Sequence, residues 1–274
     1  MANIRKWIDD YKNKGYSEAN AEARVCQDIV LKAIEQSSLS RNVTIKGGVV
    51  LRSLTGNIRR ATQDLDIDFI KYPLEDHAIR TFISKLNCFN EIAIVMTGKI
   101  EELKQQDYHG RRVFIKITDS DENMITSKID LGVHKNLYIN QEEYCFDICF
   151  NEDGASLFIN SKEQMFAEKL RSLLKFGAFS TRYKDVFDIC YLSEVIDRDL
   201  LVNCIKTYVL DDPGMKENTM IDISKRVKQT FSNKRYVKQL STSDKNWLNM
   251  DVEKILNKIS IFLEEQARSI DPTD

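Results

Sequence analysis

Three aspartates alternate with apolar residues in the run Asp64-Leu65-Asp66-Ile67-Asp68-Phe69. As a strand of period two, it sends the carboxylates to one face and Leu65, Ile67 and Phe69 to the other. Carboxylates this close repel, and at least one is driven toward protonation unless a cation sits between them. Hard oxygen donors in such an array suit Mg²⁺ or Mn²⁺, which bind through a few carboxylates and keep positions open for substrate phosphates.

Upstream lies the other half of a phosphate-handling site. Gly47-Gly48 precedes the short apolar segment Val49 to Leu54. Glycine reaches backbone angles that other residues avoid, and lets a phosphate approach the main chain. With 49–55 helical, the pair stands at a helix N-terminus, where free N–H groups and the dipole favour an anion. Lys46, Arg59 and Arg60 add positive charge for a polyphosphate. Read singly, Gly-Gly is a turn and the aspartate run a solvated strand end. In this order they describe a nucleoside triphosphate held between a glycine turn and a carboxylate-bound metal.

The ordered set Gly47-Gly48, Arg60, Thr62, Asp64, Asp66 resembles the nucleotidyltransferase motif of the DNA polymerase β-like superfamily. More narrowly, it is similar to the AbiEii-type abortive-infection toxins, in which Gly-Gly replaces the commoner Gly-Ser. The resemblance implies metal ligands at Asp64 and Asp66, with Asp68 at the rim or as a supporting partner. A third carboxylate is expected on a neighbouring strand, as metal ligand and as base for the attacking hydroxyl. Asp130 in Ser127-Lys-Ile-Asp-Leu-Gly-Val133 fits, since Ile129, Leu131 and Val133 share the opposite face; the alternative is an exposed aspartate on an edge strand.

A second block, Phe166 to Leu192, resembles the family's Glu-Lys-Leu helix followed by Arg-x-Lys/Arg-Asp-x-x-Asp, and marks Lys169, Arg182, Lys184, Asp185 and Asp188. Lys169 is expected to neutralise triphosphate charge. Asp185 and Asp188, three apart on one helix face, would orient Lys169 or contact nucleotide or acceptor. Surface ion pairs between two helices, worth under ~1 kcal/mol, are the other reading.

The elements around these residues follow from periodicity. Two helices are expected before residue 40, the second capped by Ser17, then a strand from Asn42 to Ile45. A helix from His77 to Leu86 follows, then strands over 91–96, 112–117, 126–133 and 144–150, with a loop at Asp153-Gly154. Ser161-Lys-Glu-Gln164 is a capping-box candidate, and from there the pattern is helical, with further helices over 197–210, 217–230 and 251–266. The expected fold is therefore α+β: a polymerase β-like nucleotidyltransferase domain with a mixed sheet (1–158), then an α-helical domain (159–274).

The 274 residues carry a formal charge of -2, so any nucleic-acid binding must come from a local patch. Lys225, Arg226, Lys228, Lys234, Arg235 and Lys238 cluster around Phe231 and Tyr236; an RNA-backbone surface and a solvated helix face both give this composition. Six scattered cysteines without a Cys-x-x-Cys pair read as reduced thiols, and three histidines (His77, His109, His134) show no ligand spacing. A charged N-terminus and the lack of a long apolar run point to a cytoplasmic protein.

The expected reaction is metal-dependent transfer of a nucleoside monophosphate from a nucleoside triphosphate to an acceptor hydroxyl. The resemblance implies a toxin of a toxin–antitoxin or phage-defence pair, with a cognate antitoxin and the tRNA 3′ end as acceptor. A protein hydroxyl as acceptor, and a catalytically silent nucleotide- or partner-binding module, are the alternatives.

Overall fold

The computed structural model describes residues 2–103 and 110–270; His109 lies outside them. The chain forms two compact units, Met1–Asn160 and Ser161–Asp274.

The first unit opens with α1 (Ile4–Asn13) and α2 (Glu18–Gln36). Ala21, Val25, Ile29, Val30, Ala33 and Ile34 of α2 are completely buried. Each large apolar side chain so buried contributes about 1.5–3 kcal/mol, which makes α2 the main prop of the sheet behind it. Strand β1 (Val43–Lys46) leads into α3 (Gly47–Thr55), which Gly56 ends with a left-handed φ of 60°. Then come β2 (Leu65–Phe69), α4 (Asp76–Lys85), β3 (Ile92–Leu103), β4 (Gly110–Asp119), β5 (Met124–Val133), β6 (Glu142–Ile148) and β7 (Asn151–Ile159).

The seven strands of the described residues join one mixed sheet in the order β3-β4-β5-β2-β1-β7-β6. Pairs β2/β5 and β1/β7 are parallel, the rest antiparallel. Beneath the carboxylate strand, Leu65, Ile67 and Phe69 are buried as alternation requires, with Phe69 edge-on to Phe82 of α4 at 5.1 Å.

Two local expectations are corrected. Asp153-Gly154, read as a loop, lies inside β7, where the ladder with β6 shifts register. Gly154 takes φ +68°, and a Cβ there would stand 2.5 Å from the Phe146 carbonyl oxygen; the glycine serves an irregular strand pair, not a turn. Strand β3 also runs well beyond residue 96.

The second unit contains helices α5 (Lys162–Phe176), α6 (Tyr183–Leu192), α7 (Arg198–Ile205), α8 (Met220–Phe231), α9 (Lys234–Ser241) and α10 (Val252–Ile270). Ser161 Oγ accepts from the Gln164 amide and caps α5. The stretch expected as one helix to Leu210 ends in a π-helical turn, Lys206–Leu210. Helix α9 was not anticipated; Asn233 starts it by accepting the Tyr236 amide proton.

Candidate active site

Strand β1 delivers the chain to Gly47, whose φ of +68° is the left-handed region that glycine tolerates. A Cβ on Gly47 would stand 2.4 Å from Asp66 Oδ2, and one on Gly48 would stand 2.6 Å from Thr62 Oγ1. The glycines therefore let the first turn of α3 press against both the carboxylate strand and the loop that enters it. Lys46, at the helix cap, makes no side-chain capping bond, and the first N–H groups of a helix have no intrahelical partner. The turn thus presents donors next to Asp66.

Asp66 and Asp130 are register partners on the parallel strands β2 and β5, and Asp130 in turn faces Arg112 across the antiparallel pair with β4. Asp130 therefore stands within the sheet and not on an edge strand. Asp64 lies one residue before β2, with its side chain half exposed and Lys128 Nζ 2.9 Å away. Arg112 grips Asp130 with two parallel bonds, Nε to Oδ1 at 2.7 Å and Nη2 to Oδ2 at 2.8 Å. Asp68 is not at the rim: it is buried, with Lys46 Nζ 2.7 Å from Oδ1.

Asp66 differs from these three. Among the described residues no lysine or arginine forms an ion pair with it. Burial, and then the charges of Asp130, Asp64 and Asp68, push its carboxyl up to about 6 against the opposing pull of Lys46.

Among the described residues no three His, Cys, Asp or Glu side chains converge into a preformed metal cage. The donor set nevertheless fits a hard cation. It consists of carboxylates only, Asp66 carries unmet negative charge, and a carboxylate offers about four lone-pair directions, of which the Arg112 fork uses two on Asp130.

Arg59 is exposed, whereas Arg60 is only 3% exposed and sits in the 3₁₀ turn Ile58–Arg60. Beside Lys128 opens a cleft of about 490 Å³, lined by Gln63, Thr97, Phe114, Thr126 and Ser127 among others.

Sequence reasoning missed the support behind the site. Gln27 of α2 donates from Nε2 to two main-chain carbonyls, Thr62 O at 3.0 Å and Asp64 O at 3.2 Å. Its Oε1 accepts from Arg52 Nη1 of α3. Arg52 is buried, and Nε and Nη2 have no hydrogen-bond partner among the described residues. Burial, then Arg24, lowers its guanidinium to about 10. Next to Gln27, fully buried Asp28 accepts from the Tyr11 hydroxyl at 2.6 Å and the Cys149 amide at 3.1 Å, and pairs with Arg24 at 3.1 Å. This buried polar strip fixes the loop carrying Thr62 and Asp64 from below. The sequence signal for it was the set of polar residues at positions 24, 27 and 28, among the apolar residues Ala23, Val25, Cys26, Ile29 and Val30 of α2.

In the second unit, Lys169 Nζ lies 2.7 Å from Asp185 Oδ1 and 2.9 Å from Asp188 Oδ2. Asp188 is fully buried and also accepts from Trp247 Nε1 at 2.9 Å. Arg182 Nε reaches Asp185 Oδ2 at 3.4 Å, and Lys184 is half-buried on the same helix. The surface-pair reading of this cluster is therefore corrected, since only 13% of the Lys169 and Asp185 side chains is exposed. The aromatic interleaving expected farther on is also corrected: Tyr236 is completely buried and offers no stacking face.

The nine-residue helix on a glycine turn, the register-matched aspartates and the Lys169 cluster fall within one matched span. The family described as "Nucleotidyl transferase AbiEii toxin, Type IV TA system" matches residues 29–258. No curated protein matches the chain. The matched span covers most of the 274 residues, and the chain belongs to the AbiEii nucleotidyl transferase toxin family.

Proposed function

We propose that this nucleotidyl transferase moves a nucleoside monophosphate from a nucleoside triphosphate to the 3′ hydroxyl of a tRNA. The observation that carries the reading is the contact of the Gly47-Gly48 turn with Asp66, itself in register with Asp130. The acceptor oxygen attacks the α-phosphorus, the bond to the bridging oxygen breaks, and pyrophosphate leaves. Asp64, Asp66 and Asp130 would hold divalent cations of the Mg²⁺ or Mn²⁺ type, which when bound supply positive charge to the triphosphate and acidify the hydroxyl.

The rest is the work of the chain's own groups. Amides at Gly47 and Gly48 bind phosphate oxygens at the start of α3. Asp130 takes the hydroxyl proton, with Arg112 fixing the carboxylate and stabilising its charge until then. Arg60, in the turn that opens the loop to Asp64, adds positive charge for the polyphosphate, and Thr62 packs that loop against Gly48. The cleft beside Lys128 has the volume of a small-molecule site and suits the donor's base and sugar. Lys169 and Asp185, with Asp188, serve the triphosphate; a phosphate oxygen would replace one carboxylate on Lys169, one anion for another.

The chain would act in the cytoplasm as the toxin of a phage-defence pair restrained by its antitoxin; no helix among the described residues is long and apolar enough to cross a membrane. The test is incubation with Mg²⁺, each α-³²P nucleoside triphosphate and total tRNA, alongside the Asp64→Ala/Asp66→Ala variant. Label on tRNA with the wild type alone is expected, and names the base. Label on protein instead would make the acceptor a protein hydroxyl, and no label with any nucleotide would overturn the transfer reading.

A further inference from the structure

Two stretches of the second unit lack acidic residues altogether. From Lys169 to Lys184 the chain carries Lys169, Arg171, Lys175, Arg182 and Lys184 with no Asp or Glu. From Ser224 to Ser243 it carries six more cations, again with none. In the first stretch Lys169, Arg171 and Arg182 are balanced by Asp185 and Asp188, Asp212, and Asp185, so the uncompensated positive charge lies in the second. The fold joins the two stretches. Arg226 Nη2 lies 3.0 Å from where a Cβ on Gly177 would stand, so its guanidinium packs on the turn Gly177–Phe179 that follows α5. The Tyr183 hydroxyl, at the start of α6, donates to Gln239 Oε1 of α9 at 3.3 Å.

On that turn sits Phe179, 91% exposed, with Phe176 before it at 44%. An aromatic ring left almost wholly in water gains nothing for the fold. Helix α9 contacts this turn; its Lys234, Arg235 and Lys238, and Arg182 three residues after Phe179, are exposed, and none of α9's three cations has a carboxylate partner among the described residues. Lys228 is the exception within the stretch, paired with Glu264 of α10. Flat aromatic faces with flanking cations recognise unstacked bases and the phosphates between them, and are sequence-tolerant because every base has a π-face.

We propose that Phe179, with the basic faces of α8 and α9, binds a single-stranded polynucleotide, one base stacking on the ring while phosphates lie along Arg182, Arg226, Arg235 and Lys238. This rests on the transfer reading only in taking that strand as the acceptor. It also moves recognition away from Tyr236, whose ring is in the core.

Fluorescence anisotropy with labelled 12-nucleotide adenylate RNA and DNA oligomers and a 12-base-pair duplex tests it. The wild type is expected to bind the single strands in preference to the duplex; RNA and DNA arms identify the sugar. Phe179→Ala should weaken single-strand binding about 10-fold or more and leave the duplex unchanged, while Phe179→Trp restores it. Arg235→Glu/Lys238→Glu should weaken binding and flatten its salt dependence. An exposed ring that touches little can be removed without unfolding, which circular dichroism will verify. Wild-type affinity in Phe179→Ala would overturn the proposal, as would absence of binding by the wild type or loss of self-association as the variant's sole defect. Binding without label transfer sinks only the transfer reading; label transfer with an indifferent Phe179→Ala sinks only this one.

Discussion

Two clusters of charge, one in each unit, use the same residue types to opposite effect. Asp66 feels three other carboxylates, and the nearby cations each attend to one of those: Arg112 to Asp130, Lys128 to Asp64, Lys46 to Asp68. Asp66 has no such partner, and burial first, with the charges of Asp130, Asp64 and Asp68 behind it, holds its carboxyl near 6. Around Lys169 a single ammonium serves two carboxylates, whose other oxygens are taken by Arg182 and the Trp247 indole. The first arrangement is short of positive charge and the second is satisfied. Only the first gains energy when a cation arrives.

Substitutions distinguish the two. Asp66→Asn should lower nucleotide transfer by about 10³-fold or more, as loss of a charge-stabilising group does, read as label incorporated per minute at saturating nucleotide. Equal activity would place the reactive centre elsewhere.

Lys169→Met should destabilise the second unit by about 3 kcal/mol, because a buried carboxylate loses its counter-charge; denaturant unfolding measures it. A stability change near zero would mean that the cluster is held for chemistry alone. Asp66→Asn should move stability the other way. A carboxyl raised from its unfolded value near 3.8 to about 6 gives up stability as pH rises through that window. Without divalent metal, the variant should therefore gain on the wild type between pH 4 and pH 8 by about 2–3 kcal/mol. A pH-independent difference would show that the Asp66 carboxyl is not raised in the folded protein.

Gln27→Leu has the smallest expected effect on the comparison. It frees two carbonyls and leaves Arg52 without the Gln27 amide, which loosens the loop carrying Asp64, so kcat should fall about 10-fold, about 1.4 kcal/mol in barrier, with KM for nucleotide little changed. A change confined to KM would instead put Gln27 in substrate binding. Gln27→Glu, which keeps an acceptor for Arg52 but loses the donor, should not rescue.

The parts of this site that could be read in the chain are those carried by neighbours in sequence. Gly47-Gly48 and Asp64 to Asp68 declare themselves because a turn chemistry and a period of two are local properties. Asp130 was accessible because its own strand alternates. Arg112 was not, since its pairing with Asp130 depends on the β4/β5 register, eighteen residues apart. Gln27 reaches carbonyls thirty-five and thirty-seven positions away, and nothing in helical spacing says which loop an inward polar residue will meet. Asp153-Gly154 misled because the dipeptide favours turns in isolation, whereas here the sheet uses the glycine's φ within a strand. Tyr236 misled for a similar reason: basic neighbours said surface, but α9 is amphipathic and puts the ring, with Leu240, in the core.

The contact between Gly48 and Thr62 also constrains how this sequence can change over generations. Any side chain at 48 would overlap Thr62, and the Thr62 loop is pinned by Gln27, so position 48 cannot drift while Thr62 stays. A serine at 48, the alternative in the resembling motif, becomes accessible only through a lineage that first carries glycine at 62, because the Cβ of residue 62 would itself stand 2.7 Å from the new one. The two residues would then be inherited as a pair, fourteen positions apart, and a variant library randomising them jointly would recover combinations that single-site scanning scores as lethal.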